Sequence, residues 1–229
     1  MPSDRDVALV FGARGGIGAA LTTALESSDS YAAVLGVSRA TGFDLTDEAS
    51  IARAVESAAA RGEIRLAIDA TGFLHDASQT PEKNLRDLDA ARLARAFALN
   101  AIGPALIMKH LLPRLPRKGR CVFATLSARV GSIGDNRLGG WYGYRASKAA
   151  LNQFVRTAAI ELARRAPEAI CVALHPGTVR TGLSAPFVGE DRDAVTPAQS
   201  ANNLLRVIDR LGAADTGGFF DWRGERIEW

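Results

Sequence analysis

A single α/β domain with a doubly wound, mostly parallel sheet is what this sequence predicts, and three observations predict it. Short apolar runs alternate with longer helical patterns along all 229 residues. Those runs show little polar–apolar alternation, as expected of strands covered on both faces. A glycine-rich turn, Gly12-Ala13-Arg14-Gly15-Gly16-Ile17-Gly18, joins the first run to the first helical pattern. Strands and helices in this order build a Rossmann-like sheet with helices on both sides.

Strands are predicted at residues 7–11, 32–37, 64–69, 120–125, 169–174 and 218–220. The first helix, over 16–28, sets Ile17, Leu21 and Leu25 at four-residue spacing, which is one helical face. The second opens on Thr46 as N-cap, carries acids in its first turn and runs to about Ala60. A long apolar helix follows over 88–112, and another over 144–165 with Leu151, Phe154, Val155, Ala158 and Leu162 on one stripe. Thr196-Pro197, a cap followed by proline at the first helical position, opens the last helix, which ends near Leu211. No repeat, low-complexity tract or Pro/Ser-rich linker divides the chain, so residues 1–229 read as one domain.

Composition excludes several classes. Hydrophobic residues at 47% and charged residues at 23% do not describe a disordered chain, a collagen-like fibre or a coiled coil. The apolar runs look too short for a membrane span, which needs roughly 18 residues. Asp4 and Asp6 precede the first apolar run and no small-residue cleavage site follows, so no signal peptide is expected. Cys121 and Cys171 both sit in strand-like runs, which reads as reduced, buried thiols and a cytoplasmic protein. The 28 basic and 25 acidic residues are interspersed, and the densest basic cluster, 114–120, is a short loop. No nucleic-acid surface is expected from it. His75, His110 and His175 are scattered without metal-ligand spacing, and no Gly-x-Ser-x-Gly marks a hydrolase nucleophile. Trp222 and Trp229 are expected to pack.

The chemistry begins at the glycine turn. One glycine lets the chain leave the strand sharply, another lets backbone amides approach a phosphate, and a third lets the helix pack tightly on the sheet. Amides at the helix N-terminus then face a pyrophosphate. An NAD site would carry an acid about 20 residues further on, for the ribose 2′-hydroxyl. Here the window reads Val37-Ser38-Arg39-Ala40-Thr41, and no acid stands between Asp29 and Asp44. Small Ser38 leaves room for a 2′-phosphate, the fork of Arg39 suits one, and Arg14 closes from the glycine turn. NADP is therefore the expected cofactor. Further along, Tyr144 and Lys148 stand four apart and share a helix face. A phenol with a reference pKa of about 10 is a poor acid. A neighbouring ammonium favours the phenolate and makes tyrosine a usable acid–base group.

On these residues the chain resembles the short-chain dehydrogenase/reductase superfamily over nearly its whole length. Gly12-x-x-x-Gly16-x-Gly18 matches the cofactor loop of that family and Tyr144-x-x-x-Lys148 its catalytic pair. Leu99-Asn100-Ala101-Ile102-Gly103 resembles the helical segment whose Asn helps hold a proton-relay water near the lysine. The run from His175 to Thr181 resembles the segment wrapping the nicotinamide end, which implies that Pro176, Gly177, Val179 and Thr181 touch the cofactor. Asp44-Leu45 resembles the pair beside the adenine. Residues 126–133, the Gly-Gly-Trp before the tyrosine and the short C-terminus are similar to the C-factor and sniffer-like carbonyl reductase branch. The resemblance implies an NADP(H)-dependent enzyme interconverting a small aldehyde or ketone and an alcohol. In it Tyr144 is the proton donor, Lys148 tunes Tyr144 and binds the ribose, and Asn100 supports the water chain. The alternative, through C-factor, is a cofactor-binding regulatory or signalling protein with little turnover.

Two departures from the family pattern stand out. Its Asn-Asn-Ala-Gly reads Asp69-Ala70-Thr71-Gly72 here. Ala70 and Gly72 are expected to line the cofactor through their backbone, and Asp69 to lose the amide donor that steadies neighbouring strands. Its Ser-Ser at the strand end reads Ser127-Ala128. The serine that polarises the substrate is then Ser127, 17 residues before Tyr144, or Ser132, 12 before it. Residues 134–144 resemble an insertion that lengthens the gap, which favours Ser127. The substrate pocket is expected in loop 184–196 and segment 135–141, whose charges name no ligand; Asp191-Arg192-Asp193 reads as solvated.

Both long helices carry more apolar residues than one buried stripe needs. Leu93, Phe97, Ile102, Leu106, Ile107 and Leu111 mark the first, and Leu151, Phe154, Ile160 and Leu162 the second. In the resembled family these helices pair across a two-fold axis, which implies a homodimer or a dimer of dimers.

Overall fold

A computed structural model of the protein describes residues 5–187 and 194–229. Six strands form one sheet: β1 (Asp6–Phe11), β2 (Ala33–Val37), β3 (Glu63–Asp69), β4 (Cys121–Leu126), β5 (Ala169–His175) and β6 (Phe219–Asp221). Their order is β2-β1-β3-β4-β5-β6, and every neighbouring pair is parallel. The helices are α1 (Gly16–Glu26), α2 (Glu48–Ala59), α3 (Ala90–Phe97), α4 (Gly103–Leu111), α5 (Tyr142–Arg165) and α6 (Pro197–Arg210). The strand order reverses at β1, between β2 and β3, which leaves a crevice beyond the carboxyl ends of these strands.

Successive side chains of a strand point to opposite faces, and here both faces are covered. In β1, Val7, Leu9 and Phe11 join Ile51, Ile107, Leu111, Leu151 and Val155 in the core under α2, α4 and α5. Ala8 and Val10 join Leu21, Leu25, Leu204 and Ile208 under α1 and α6. This is why the strands read as unbroken apolar runs.

Four details differ from the sequence reading. The second helix is capped by Asp47, whose carboxylate accepts from the Ala49 N–H at 3.0 Å, so Thr46 lies outside it. The helix expected over 88–112 is two helices joined by a π-helical turn at Ala98–Ile102. The helix bearing Tyr144 starts two residues earlier, at Tyr142. The run Ala90–Arg114 is, contrary to the expectation of short apolar segments, long and apolar enough to cross a bilayer. It is instead a core element, with Ile107, Met108 and Leu111 packed on the sheet. At the start of α6, Thr196 is the cap its sequence promised, and Gln199 returns the bond in a reciprocal cap that the sequence reading did not include.

Among the residues expected at a subunit interface, Ile107, Leu111, Leu151 and Leu162 are instead buried in this chain's own core. Ile102, Phe154 and Ile160 remain exposed. Cys121 and Cys171 are free and buried.

Candidate active site

The crevice opens into a cavity of about 700 Å³. Of the residues expected at the cofactor, Gly12, Arg14, Ser38, Arg39, Asp44, Leu45, Ala70 and Gly72 line it. Gly12 is left-handed (φ 77°), and a Cβ on Gly18 would stand 2.2 Å from its carbonyl oxygen, so the turn tolerates no side chain there. Gly16, Ile17 and Gly18 form the first turn of α1 rather than the cavity wall. Thr181 lies against Gly16, where a Cβ would meet its Cγ2 at 2.7 Å, so the segment after β5 returns across the glycine turn. Within that segment Gly177 packs on Trp222, and Val179 is buried, bridged to Val195. Residues 188–193 of the expected substrate loop, including Asp191-Arg192-Asp193, lie outside the described residues.

Ser38 is buried, and its Oγ has no hydrogen-bond partner among the described residues. A buried hydroxyl left unpaired costs free energy. Arg14 and Arg39 line the same cavity, so the wall offers a hydroxyl and two guanidinium groups to an anion. That donor set fits the 2′-phosphate of NADP. Asp44 does not oppose it directly, because its carboxylate is turned onto the Thr46 N–H (2.8 Å) and hydroxyl (2.7 Å). Those bonds hold it below the usual carboxylate range.

Behind the cavity stand Lys148 and Tyr144 on α5 and Asn100 in the π-helical turn. Lys148 is 2% exposed and its Nζ donates to the Leu126 carbonyl at 2.7 Å, at the end of β4. Burial pushes this ammonium down to about 8, against the opposing charge of Asp69. Burial likewise pushes the phenol of Tyr144, one turn earlier on α5, up to about 12, opposite to the lowering expected from the Lys148 ammonium, because desolvation dominates there. Asn100 lies in the π-helical turn with its side chain fully engaged. Its Oδ1 accepts from the Phe73 N–H (2.7 Å), and its Nδ2 donates to the Phe73 carbonyl (2.8 Å) and to Ser147 Oγ (3.1 Å). The π turn thus aims an amide that clamps the loop after β3 to the helix carrying Tyr144 and Lys148.

Asp69 corrects the sequence reading. It is fully buried, but it does join its neighbouring strand: Thr125 on β4 donates to its Oδ2, while Thr71 donates to Oδ1 from both backbone and hydroxyl. The strand-to-strand bond survives with the donor on the other partner. The two serines differ in the same respect. Ser127 donates its hydroxyl hydrogen to Asn152 Oδ1 at 2.7 Å, whereas Ser132 Oγ accepts from the Asp135 N–H at 3.1 Å.

Several cavity residues were not anticipated, whereas Trp141 and Phe187 fall in the two segments expected to form the substrate pocket. Phe43, Phe73, Leu99, Asp76 and Arg95 complete the cavity wall. Arg95 lies over the Phe73 ring at 4.5 Å and pairs with Asp76. His75, Phe187 and Trp141 make a chain of edge-to-face rings that ends on Tyr144. Single aromatic and charged residues in loops carry no periodic signal, so nothing in the sequence gathers them. His175 has a buried Nδ1 without a partner among the described residues, and burial with the nearby Arg129 pushes its imidazole down to about 4. No group of metal-ligating side chains occurs among the described residues.

Comparison with known proteins adds independent information. The family model described as enoyl-(acyl carrier protein) reductase matches residues 12–216. The C-signal protein of Myxococcus xanthus is 40% identical over 146 residues, 63% of this chain and 83% of that protein. The 1-hydroxy-2-glutathionyl-2-methyl-3-butene dehydrogenase of a Rhodococcus species is 33% identical over 198 residues, 86% of this chain and 83% of that one. Among solved structures, an NADPH-bound carbonyl reductase from chicken fatty liver superposes with a TM-score of 0.85 at 26% identity, covering 97% of this chain and 94% of its own. The Drosophila melanogaster carbonyl reductase Sniffer, at 20% identity and a TM-score of 0.79, covers 98% of this chain and 99% of its own and shares the fold.

Proposed function

The chain belongs to the short-chain dehydrogenase/reductase family of oxidoreductases, and from this we propose that it interconverts a carbonyl and an alcohol using NADP(H). The observation that carries the reading is Lys148, a buried ammonium anchored on the Leu126 carbonyl one helical turn from Tyr144. A buried lysine is costly to a fold and is kept where its charge is used. NADPH supplies a hydride to the carbonyl carbon when bound. The phenol of Tyr144 gives its proton to the carbonyl oxygen, and the Lys148 ammonium stabilises the phenolate left behind. Asn100 keeps the Phe73 loop and α5 in register. Ser38, Arg39 and Arg14 would hold the 2′-phosphate, and the backbone after β1 the pyrophosphate.

For the serine that hydrogen-bonds the substrate oxygen, we favour Ser132 over Ser127, which its place at the strand end had favoured. The one hydroxyl proton of Ser127 is committed to Asn152, while Ser132 accepts a bond and keeps its proton to donate. The reading extends to a cytoplasmic homodimer or dimer of dimers, supported by free buried thiols and by exposed Ile102, Phe154 and Ile160.

The test is NADPH oxidation against a panel of aldehydes, ketones and quinones. Tyr144→Phe is expected to lower turnover by about 100-fold or more with NADPH affinity intact. Retained turnover in that variant overturns the mechanism, and a larger loss in Ser127→Ala than in Ser132→Ala reverses the serine assignment. A second reading, a cofactor-binding signalling protein, is favoured by the 40% identity to C-signal. NADPH binding without turnover on any panel member selects it.

A further inference from the structure

The helix that carries Tyr144 begins without a cap of its own. Trp141, the residue before it, makes no side-chain capping bond and sits in the left-handed region at φ 52°, ψ 42°. Helix N-termini leave N–H groups without intrahelical acceptors. Glu82, from the loop between β3 and α3, supplies two acceptors. Its Oε2 accepts from the Gly143 N–H at 3.0 Å, and its backbone carbonyl accepts from the Trp141 N–H. Glu82 is 4% exposed, a carboxylate whose burial is tolerable only because it meets donors at the half-positive end of a helix.

The fit at this contact is close. A Cβ at position 143 would stand 2.9 Å from Glu82 Oε1 and 3.0 Å from Leu93 Cδ2, so glycine there admits the carboxylate. From the other side the Arg145 guanidinium donates to the carbonyls of Gly139, Gly140 and Val130. Gly139, Gly140 and Trp141 are left-handed in succession. A tryptophan in that region is strained and persists only where its surroundings hold it. Held so, its indole meets the Tyr144 ring edge-to-face, with centroids 6.1 Å apart.

We propose that Glu82 is a positioning residue for the reaction: by capping α5 and pinning Trp141 in its left-handed turn, it fixes where the phenol of Tyr144 stands. The inference rests on the reading of Tyr144 as proton donor. Glu82 touches neither substrate nor cofactor in this account and acts through the helix end.

The experiment compares Glu82→Ala, Glu82→Gln and Gly143→Ala with the wild type. Steady-state kinetics on the best panel substrate, NADPH affinity and hydrogen exchange at the Gly143 amide are measured for each. Glu82→Ala is expected to lower kcat about tenfold or more, as small misplacements of a catalytic group do, with KM and NADPH affinity within about twofold. Glu82→Gln keeps an acceptor oxygen and restores most of kcat, while Gly143→Ala displaces the carboxylate and reproduces the loss. The Gly143 amide exchanges slowly in the wild type and in Glu82→Gln, and fast in Glu82→Ala. Unchanged kcat in Glu82→Ala, no rescue by glutamine, or an equal loss of NADPH affinity overturns the proposal. If Glu82→Ala does not fold, Glu82→Gln and Gly143→Ala decide it. A wild type inert on the whole panel counts against the reductase reading alone, and the exchange measurement then decides the role of Glu82.

Discussion

Thr125 donates its hydroxyl hydrogen to Asp69 across 2.7 Å, joining β4 to β3 at their carboxyl ends. The same carboxylate faces Lys148 electrostatically and holds that ammonium above the value burial alone would give it. One buried acid therefore serves the sheet and the site together.

Substitution of that acid separates the two roles. Burial raises the Asp69 pKa above its value in the unfolded chain, so its ionised form costs stability. That cost is full above the native pKa and vanishes below the unfolded one. Asp69→Asn keeps hydrogen-bonding capacity toward Thr71 and Thr125 without the charge. It is expected to raise the denaturation midpoint at pH 7, with the gain disappearing toward pH values of about 4 and below. It also removes the charge that supports the Lys148 ammonium, so the alkaline edge of activity moves to lower pH. A midpoint at pH 7 below that of the wild type contradicts this account.

Lys148 itself is a stability cost retained for chemistry. Its pKa falls from 10.5 in the unfolded chain to about 8 in the fold. The unfolded chain therefore binds more protons between those values, and stability rises with pH through that window. Below it the full cost applies, on the order of 3 kcal/mol at about 1.4 kcal/mol per unit. Lys148→Met gives up the bond to the Leu126 carbonyl but recovers most of that cost. The variant is expected to be inactive yet more stable at pH 7 by roughly 1–2 kcal/mol. The gain fades by pH values of about 10, and urea denaturation at the two pH values checks it.

In the proposed reading Arg39 and Ser38 would set the cofactor preference. Removing a charged hydrogen-bond partner costs about 1.5–3 kcal/mol, so Arg39→Ala is expected to weaken NADPH binding by about 10-fold or more. NADH affinity should change little, because it has no 2′-phosphate to lose contact with. Ser38→Ala should show the same selectivity with a smaller effect. Equal losses for both nucleotides in fluorescence titrations would place Arg39 elsewhere than at the 2′-position.

The proposed homodimer would use the exposed part of the α4–α5 side. Phe154 is 43% exposed and Ile160 48%, on the helix that also carries Tyr144 and Lys148. Phe154→Asp is expected to convert the native assembly to monomers in sedimentation at micromolar concentration. A wild-type monomer under those conditions rules the interface out.

By itself the sequence determined the alternation of strands and helices, the parallel sheet, the glycine turn and the Tyr144–Lys148 pair. Each is a local signal: a period, a run, or two residues a helical turn apart. Strand burial on both faces showed in the unbroken apolar runs, and the missing acid before Asp44 pointed to Arg39 because that window has a set distance from the glycine turn. The tertiary structure alone decided the rest. The π turn at Asn100 holds an amide bonded to both Phe73 and Ser147, from segments distant in the chain. Asp69 reads as a lost donor until Thr125 is seen opposite it across the sheet. Ser127 and Ser132 are alike in sequence and differ only in where their hydroxyl protons go. Glu82 shows nothing in its own segment, since its partner Gly143 lies 61 residues further on. Hydrogen bonds between distant segments follow no sequence period, and in this protein they are what converts a fold into a site.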